Sequence, residues 1–160
     1  MKKIVSAACL AAVVTATPAL AAEKGTTWLE AGWAFGNLDN PSGSPSNLRL
    51  GAGFYFVDNI AAEVQFLTAA QADGAVKIDS GYGVFARGEF PMSKNINLFG
   101  RVGYTNIDLP GGSKSGFGYG AGLSFGAGEK MTIDADYTIY QNDSSSTFGA
   151  ATIAARYLIK

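Results

Sequence analysis

The sequence contains no histidine and only one cysteine among its 160 residues. Without histidine, the chain lacks the usual base of a Ser-His triad and the commonest metal ligand of proteins. Its cysteine, Cys9, lies in an N-terminal segment that we expect to be removed, so the remaining chain can form no disulfide. We therefore predict no catalytic residues, no metal site, no cofactor and no enzymatic activity.

Long apolar runs are also missing beyond the N-terminus. Residues 1–21 combine Lys2 and Lys3 with a short apolar stretch and an Ala-x-Ala ending at Ala21, which predicts a secretory signal peptide rather than a core helix. Residues 22–160 are one domain in size and contain no apolar run of about 20 residues, the length that a membrane-spanning helix needs. Acidic residues outnumber basic ones there, so we expect no nucleic-acid partner.

What the sequence does contain is a period-2 alternation of apolar and polar residues, interrupted by clusters of Gly, Pro, Asn, Asp and Ser. This pattern is typical of β-strands, and no segment shows the 3.6-residue period of an amphipathic helix. It predicts eight strands, most of them long enough to cross a bilayer when tilted: residues 27–35, 47–56, 60–68, 80–90, 95–106, 116–125, 131–141 and 149–159.

The connections between these strands alternate in length. Those after odd-numbered strands are polar and longer, at residues 36–46, 69–79, 107–115 and 142–148, and those after even-numbered strands are tight, at residues 57–59, 91–94 and 126–130. Long loops on one side and short turns on the other are typical of bacterial outer-membrane barrels, in which the turns face the periplasm. An even number of strands then places both termini in the periplasm.

Alternation alone does not tell which face of a barrel is inside, since a soluble lipocalin-like barrel would place the apolar face inward. The apolar parity carries too many aromatic rings for the narrow interior of an eight-stranded barrel. The polar parity has small residues such as Gly118, Gly120 and Gly122 and no lysine within the strand interiors, unlike a water-exposed face. The predicted fold class is therefore all-β, an eight-stranded antiparallel up-and-down transmembrane β-barrel.

Aromatic residues on the apolar parity gather near the two ends of the predicted strands. Two aromatic girdles around an aliphatic band are typical of outer-membrane barrels, whereas ordinary strand propensity predicts no such rings. The girdle candidates are Trp33, Phe35, Phe54, Phe56, Phe66, Tyr82, Phe90, Tyr104, Phe117, Tyr119, Phe125 and Tyr157.

All four arginines fall on the polar parity, which is the predicted lumen face, and acidic residues share that face. Because a guanidinium can bind two carboxylate oxygens at once, we predict a belt of salt bridges that plugs the lumen. A charge-lined passage for small solutes is the alternative, although eight strands leave little free space. The predicted lumen charge network is Glu30, Arg49, Glu63, Arg87, Glu89, Arg101, Asp134, Asp136 and Arg156.

Three segments carry a resemblance to a known family: residues 58–64 (DNIAAEV), residues 80–104 (SGYGVFARGEFPMSKNINLFGRVGY) and residues 116–123 (GFGYGAGL). They resemble the small eight-stranded outer-membrane barrels of the OmpA-like, OmpX-like and opacity-type group. The resemblance implies an outer-membrane location among lipid and lipopolysaccharide, and insertion by the barrel assembly machinery. The sequence departs from the family pattern at the C-terminus, where Ile159 and Lys160 stand in place of the usual final aromatic residue.

These features predict an integral outer-membrane protein with a structural or surface-interaction role and a plugged lumen. The alternative function is a narrow porin-like channel for small solutes or ions. The predicted outer loops are short and polar, so they identify no surface ligand. We expect the protein to be a monomer.

Overall fold

The structure is a computed structural model that describes residues 23–39, 42–43, 45–71, 79–109, 112–143 and 146–159. The predicted signal peptide, at residues 1–21, lies outside the described residues. No helix in the described ranges is long and apolar enough to cross a membrane.

The described chain consists almost entirely of β-strands. One strand of two residues pairs only with the end of the first strand, and the other eight strands contain 12 to 15 residues each. The strands are β1 (Thr27–Asp39), β2 (Ser42–Gly43), β3 (Ser46–Val57), β4 (Ile60–Gln71), β5 (Ser80–Ser93), β6 (Ile96–Leu109), β7 (Gly112–Gly126), β8 (Met131–Asp143) and β9 (Ser146–Ile159).

The eight long strands form a closed antiparallel barrel. Each pairs with its sequence neighbour, and β1 pairs with both β3 and β9. The closing seam runs from Thr27 opposite Ile159 to Leu38 opposite Phe148. The predicted eight-stranded, antiparallel, up-and-down barrel is therefore confirmed.

The two ends of the barrel differ in their connections. At the end that we call the turn end, β3, β5 and β7 are followed by short turns that include residues 58–59 and 94–95, and the first and last strands begin and end there. Asn59 adopts a positive φ of 65°, a conformation that asparagine tolerates better than most residues do. The opposite end, which we call the loop end, carries the connections after β1, β4, β6 and β8.

At the loop end the strands continue further than the sequence pattern predicts. The sequence pattern predicts loops at residues 107–115 and 142–148, yet β6 continues to Leu109, β7 begins at Gly112, β8 continues to Asp143 and β9 begins at Ser146. The outward side chains of these strand ends are polar, as at Asn106, Asp108, Ser113 and Ser115. The apolar alternation therefore ends before the strands do, and this is why the pattern underestimated their length.

Candidate functional site

Every residue of the predicted charge network lies on the inner face of the barrel. All nine are buried, and the side chains of the four arginines are at most 2 % exposed. Each arginine occupies one inward position between two outward residues, as Arg49 does between Leu48 and Leu50. The two-residue period of the strands thus directs the charges inward and the large apolar side chains outward.

Several of the shortest ion pairs cross the lumen between strands that are not adjacent. Arg49 on β3 binds Asp136 on β8 with both terminal nitrogens, at 2.9 Å and 2.6 Å. Arg87 on β5 lies 2.8 Å from Asp134 on β8. These bonds tie opposite walls of the barrel together, and they are charge-assisted hydrogen bonds, which are stronger than neutral ones.

A second group of contacts joins β9 to the opposite wall at β5. Arg156 Nη1 donates to Glu89 Oε1 at 2.8 Å and to the Tyr55 hydroxyl oxygen at 2.6 Å. The Tyr55 hydroxyl in turn donates to Glu89 at 2.6 Å, and Arg87 Nε donates to the same carboxylate at 2.8 Å. Glu89 Oε1 therefore accepts from three side chains, and Asn97 donates to Glu89 Oε2 at 3.2 Å.

Arg101 is held less specifically than the other arginines. Its Nη1 lies 3.1 Å from Glu63 and its Nη2 lies 3.6 Å from Asp136. None of its three nitrogens has the direction of a hydrogen bond to a described group. Its guanidinium carbon also lies 5.0 Å from the centre of the Phe99 ring, a distance at which a cation is attracted to an aromatic face.

Two apolar clusters flank the charge network along the barrel axis. Toward the turn end, Trp28 packs on Tyr55 with ring centres 4.6 Å apart, and Ala61 and Leu158 complete that cluster. Toward the loop end the second cluster consists of Ala34, Leu67, Phe85, Ile107, Tyr140, Phe148 and Ala150. The charges therefore lie between two layers of buried, mainly apolar side chains.

Glycines on the inner face provide the space for these side chains. A Cβ atom at Gly53 would overlap the Trp28 ring, and one at Gly122 would lie 2.5 Å from the Asp136 side chain. Similarly, a Cβ at Gly120 would lie 2.5 Å from the Thr138 hydroxyl. The bare inner face of β7 is thus occupied by the side chains of its neighbour β8.

The outer wall is formed by large apolar side chains. Of the 12 girdle candidates, all except the half-buried Phe125 are at least 40 % exposed on this wall. Phe54, Phe56, Phe90 and Tyr157 lie near the turn end of their strands, whereas Trp33 lies halfway along β1 because the strand continues past it. The exposed Tyr137 also belongs to this wall and was not among the candidates.

The sequence pattern missed the neutral partners of the charges. Ser124 accepts from Arg87 and Arg156, Thr132 accepts from Arg156, and Gln65 donates to Glu63 and accepts from Tyr140. Their inward parity could have identified Ser124, Thr132 and Gln65 as lumen residues. Their bonding partners could not be predicted, because these depend on how the strands are staggered around the barrel.

Comparison with known proteins gives a family match over most of the chain. Residues 6–157 match the sequence model described as the outer membrane protein beta-barrel domain. No curated protein matches the chain in sequence.

Solved structures similar to this chain include small outer-membrane barrels. Ail, the attachment invasion locus protein of Yersinia pestis, is 21 % identical with a TM-score of 0.58, covering 85 % of this chain and 99 % of Ail. The N-terminal β-barrel domain of Pseudomonas aeruginosa OprF is 11 % identical with a TM-score of 0.64, covering 85 % and 98 %. Neisserial surface protein A is 16 % identical with a TM-score of 0.60, covering 84 % and 99 %. At these identities the similarity shows the fold alone.

Proposed function

Because this chain belongs to the outer membrane protein beta-barrel domain family and lies in the bacterial outer membrane, we propose that it is a non-enzymatic barrel with a closed lumen. Its role is structural or is to present a surface at the loop end. The observation that carries this proposal is the charge network that fills the lumen between two buried clusters.

The charge network supports a closed lumen because its pairs cross the interior. An ion moving along the axis would have to separate bonds such as Arg49 to Asp136 and Arg156 to Glu89. Breaking one partner out of a buried pair costs about 3–5 kcal/mol. The ion would also have to displace Trp28 and Tyr55 at the turn end, and both of these side chains are at most 1 % exposed.

The loop end is the surface that we propose for contact with other molecules. Its described outward side chains include Ser80, Asn106, Asp108, Ser113 and Ser115, which hydrogen-bond to one another. Ail is named for attachment and invasion, and a contact role of that general kind is compatible with a closed barrel. We further propose that both termini are periplasmic, that outer-membrane lipid and lipopolysaccharide surround the wall, and that the barrel assembly machinery inserts the chain as a monomer.

Conductance in a planar lipid bilayer tests the closed lumen. We expect no discrete openings from purified, folded protein whose insertion is verified by a heat-modifiable gel band in protein recovered from the membrane. A large porin added afterwards to the same bilayer serves as the positive control for detection. Reproducible unitary openings from this protein alone would instead support the narrow channel, for which the four lumen arginines would be the selectivity-determining side chains.

A further inference from the structure

The buried charges of the lumen do not balance. Among the side chains that the structure describes, the inner face holds four buried arginines but five buried carboxyl groups, on Glu30, Glu63, Glu89, Asp134 and Asp136. With every acid ionised, the interior would carry one net negative charge. Burying an uncompensated carboxylate is so costly that such a group is normally neutralised instead.

Four of the carboxylates have an arginine of their own. Asp136 is bound by Arg49 at 2.6 Å, Asp134 by Arg87 at 2.8 Å, and Glu89 by Arg156 at 2.8 Å. Glu63 lies 3.1 Å from Arg101, 3.6 Å from Arg87, and accepts a hydrogen bond from Gln65. This pairing leaves Glu30 as the acid in excess.

The surroundings of Glu30 are those of an incompletely compensated acid. Its Oε1 lies 2.9 Å from Arg49 Nε, but the contact lacks the direction of a hydrogen bond, and both terminal nitrogens of Arg49 are already bound to Asp136. Neither oxygen of Glu30 accepts a hydrogen bond from a described group. The charged groups that surround it are Arg49 on β3, Glu63 on β4, Arg101 on β6, Asp134 on β8 and Arg156, its register neighbour on β9.

We infer that Glu30 is a proton-binding site and carries a proton at neutral pH, which makes the buried lumen electrically neutral. The added proton turns one Glu30 oxygen into a donor. The negative charge of Glu63 acts on Glu30, and a proton on Glu30 reduces the repulsion between the two acids. Glu63 Oε2 accepts no hydrogen bond from a described group. Because the two apolar clusters separate this region from both ends of the barrel, the proton exchanges only when the barrel opens or its packing loosens.

This inference has a consequence for stability. An unfolded chain releases the proton above about pH 4.3, the usual value for a glutamate, whereas the folded barrel keeps it. The folded state therefore binds one proton more at neutral pH, and its stability falls as the pH rises. Relative to a variant without this group, we expect the folding equilibrium constant to fall about tenfold per pH unit from that value up to neutral pH.

The test compares Glu30→Gln, which keeps the shape of the side chain without its charge, with Glu129→Gln at an exposed turn. Infrared spectra of the folded protein at neutral pH should show the carbonyl stretch of an un-ionised carboxylic acid. We expect that band in the wild type and in Glu129→Gln but not in Glu30→Gln. Urea unfolding in lipid vesicles between about pH 5 and about pH 7 should show the folding equilibrium constant of the wild type falling about tenfold per pH unit relative to that of Glu30→Gln.

Several results would overturn the inference. A wild-type spectrum without the neutral carboxyl band would mean that the excess charge is compensated in another way, and persistence of the band in Glu30→Gln would place the proton on a different acid. If Glu30→Gln does not fold, selective ¹³C labelling of glutamate in the wild type decides instead: the band must shift with labelled glutamate and must not shift with labelled aspartate.

Discussion

Arg156 shows how one lumen side chain connects several strands. Its guanidinium donates to Tyr55, Glu89, Ser124 and Thr132, which lie on four different strands. Its carbon atom Cζ also lies 5.4 Å from the centre of the Trp28 ring. Removing it would take the guanidinium donor away from the Tyr55 hydroxyl and from Thr132 and would leave the Glu89 carboxylate with one cation fewer.

We therefore expect Arg156→Leu to lower the free energy of unfolding by about 3–5 kcal/mol, the usual cost of removing one partner from a buried ion pair. The matched control is Lys130→Leu, which removes a cation from an exposed turn and should change stability by at most about 0.5 kcal/mol. Urea titration in lipid vesicles, followed by tryptophan fluorescence, measures both. Equal midpoints for the two variants would contradict a stabilising network.

At the scale of the element, each strand presents two faces with opposite packing demands. Gly53 on the inner face of β3 lies against the Trp28 ring, so a methyl group there has no space. Gly88 on the outer face of β5 has no atom within 4 Å of the place where a Cβ would lie. The same residue type is thus required by packing on one face and open to substitution on the other.

We expect Gly53→Ala to destabilise the barrel by about 1–3 kcal/mol, as overpacking of a filled interior does. Gly88→Ala should be neutral or should stabilise it by up to about 1 kcal/mol, since alanine restricts the unfolded chain more than glycine does. The temperature at which the folded, heat-modifiable gel band is lost, measured in the same detergent for each variant, reports both changes in stability. Losses of similar size in the two variants would show that the inner face is not close-packed at Gly53.

The strands and their inward and outward faces were the part of the fold that the sequence predicted best. A strand with one face toward lipid and the other toward the packed lumen must alternate apolar and polar residues. The run Leu48, Arg49 and Leu50 therefore indicates both a strand and which of its faces is inward. The loop-end boundaries were wrong because Asp108 and Ser113 face outward yet are polar, so the alternation there predicts a loop. The partner of Arg49 could not be predicted either, since Asp136 lies 87 residues away in the chain.

For the whole molecule, the proposed orientation places the loop end outside the cell and the turn end in the periplasm. No described residue is a cysteine, so single cysteines can report the side without interference. We expect Ser113→Cys, at the loop end, to react with a membrane-impermeant maleimide on intact cells. Lys130→Cys, at the turn end, should react only after the outer membrane is permeabilised. Both positions are exposed, and the reverse pattern of labelling would contradict the orientation.

The seam between β1 and β9 gives the barrel a cyclic order. Thr27 lies directly opposite Ile159, and antiparallel neighbours in this register are what a tight hairpin connects elsewhere in the same molecule. A circularly permuted chain could therefore join residue 159 to residue 27 through a short turn and begin at residue 112 instead. In that chain every inward charge would keep its neighbours, since each of the eight long strands is paired on both sides in the closed barrel.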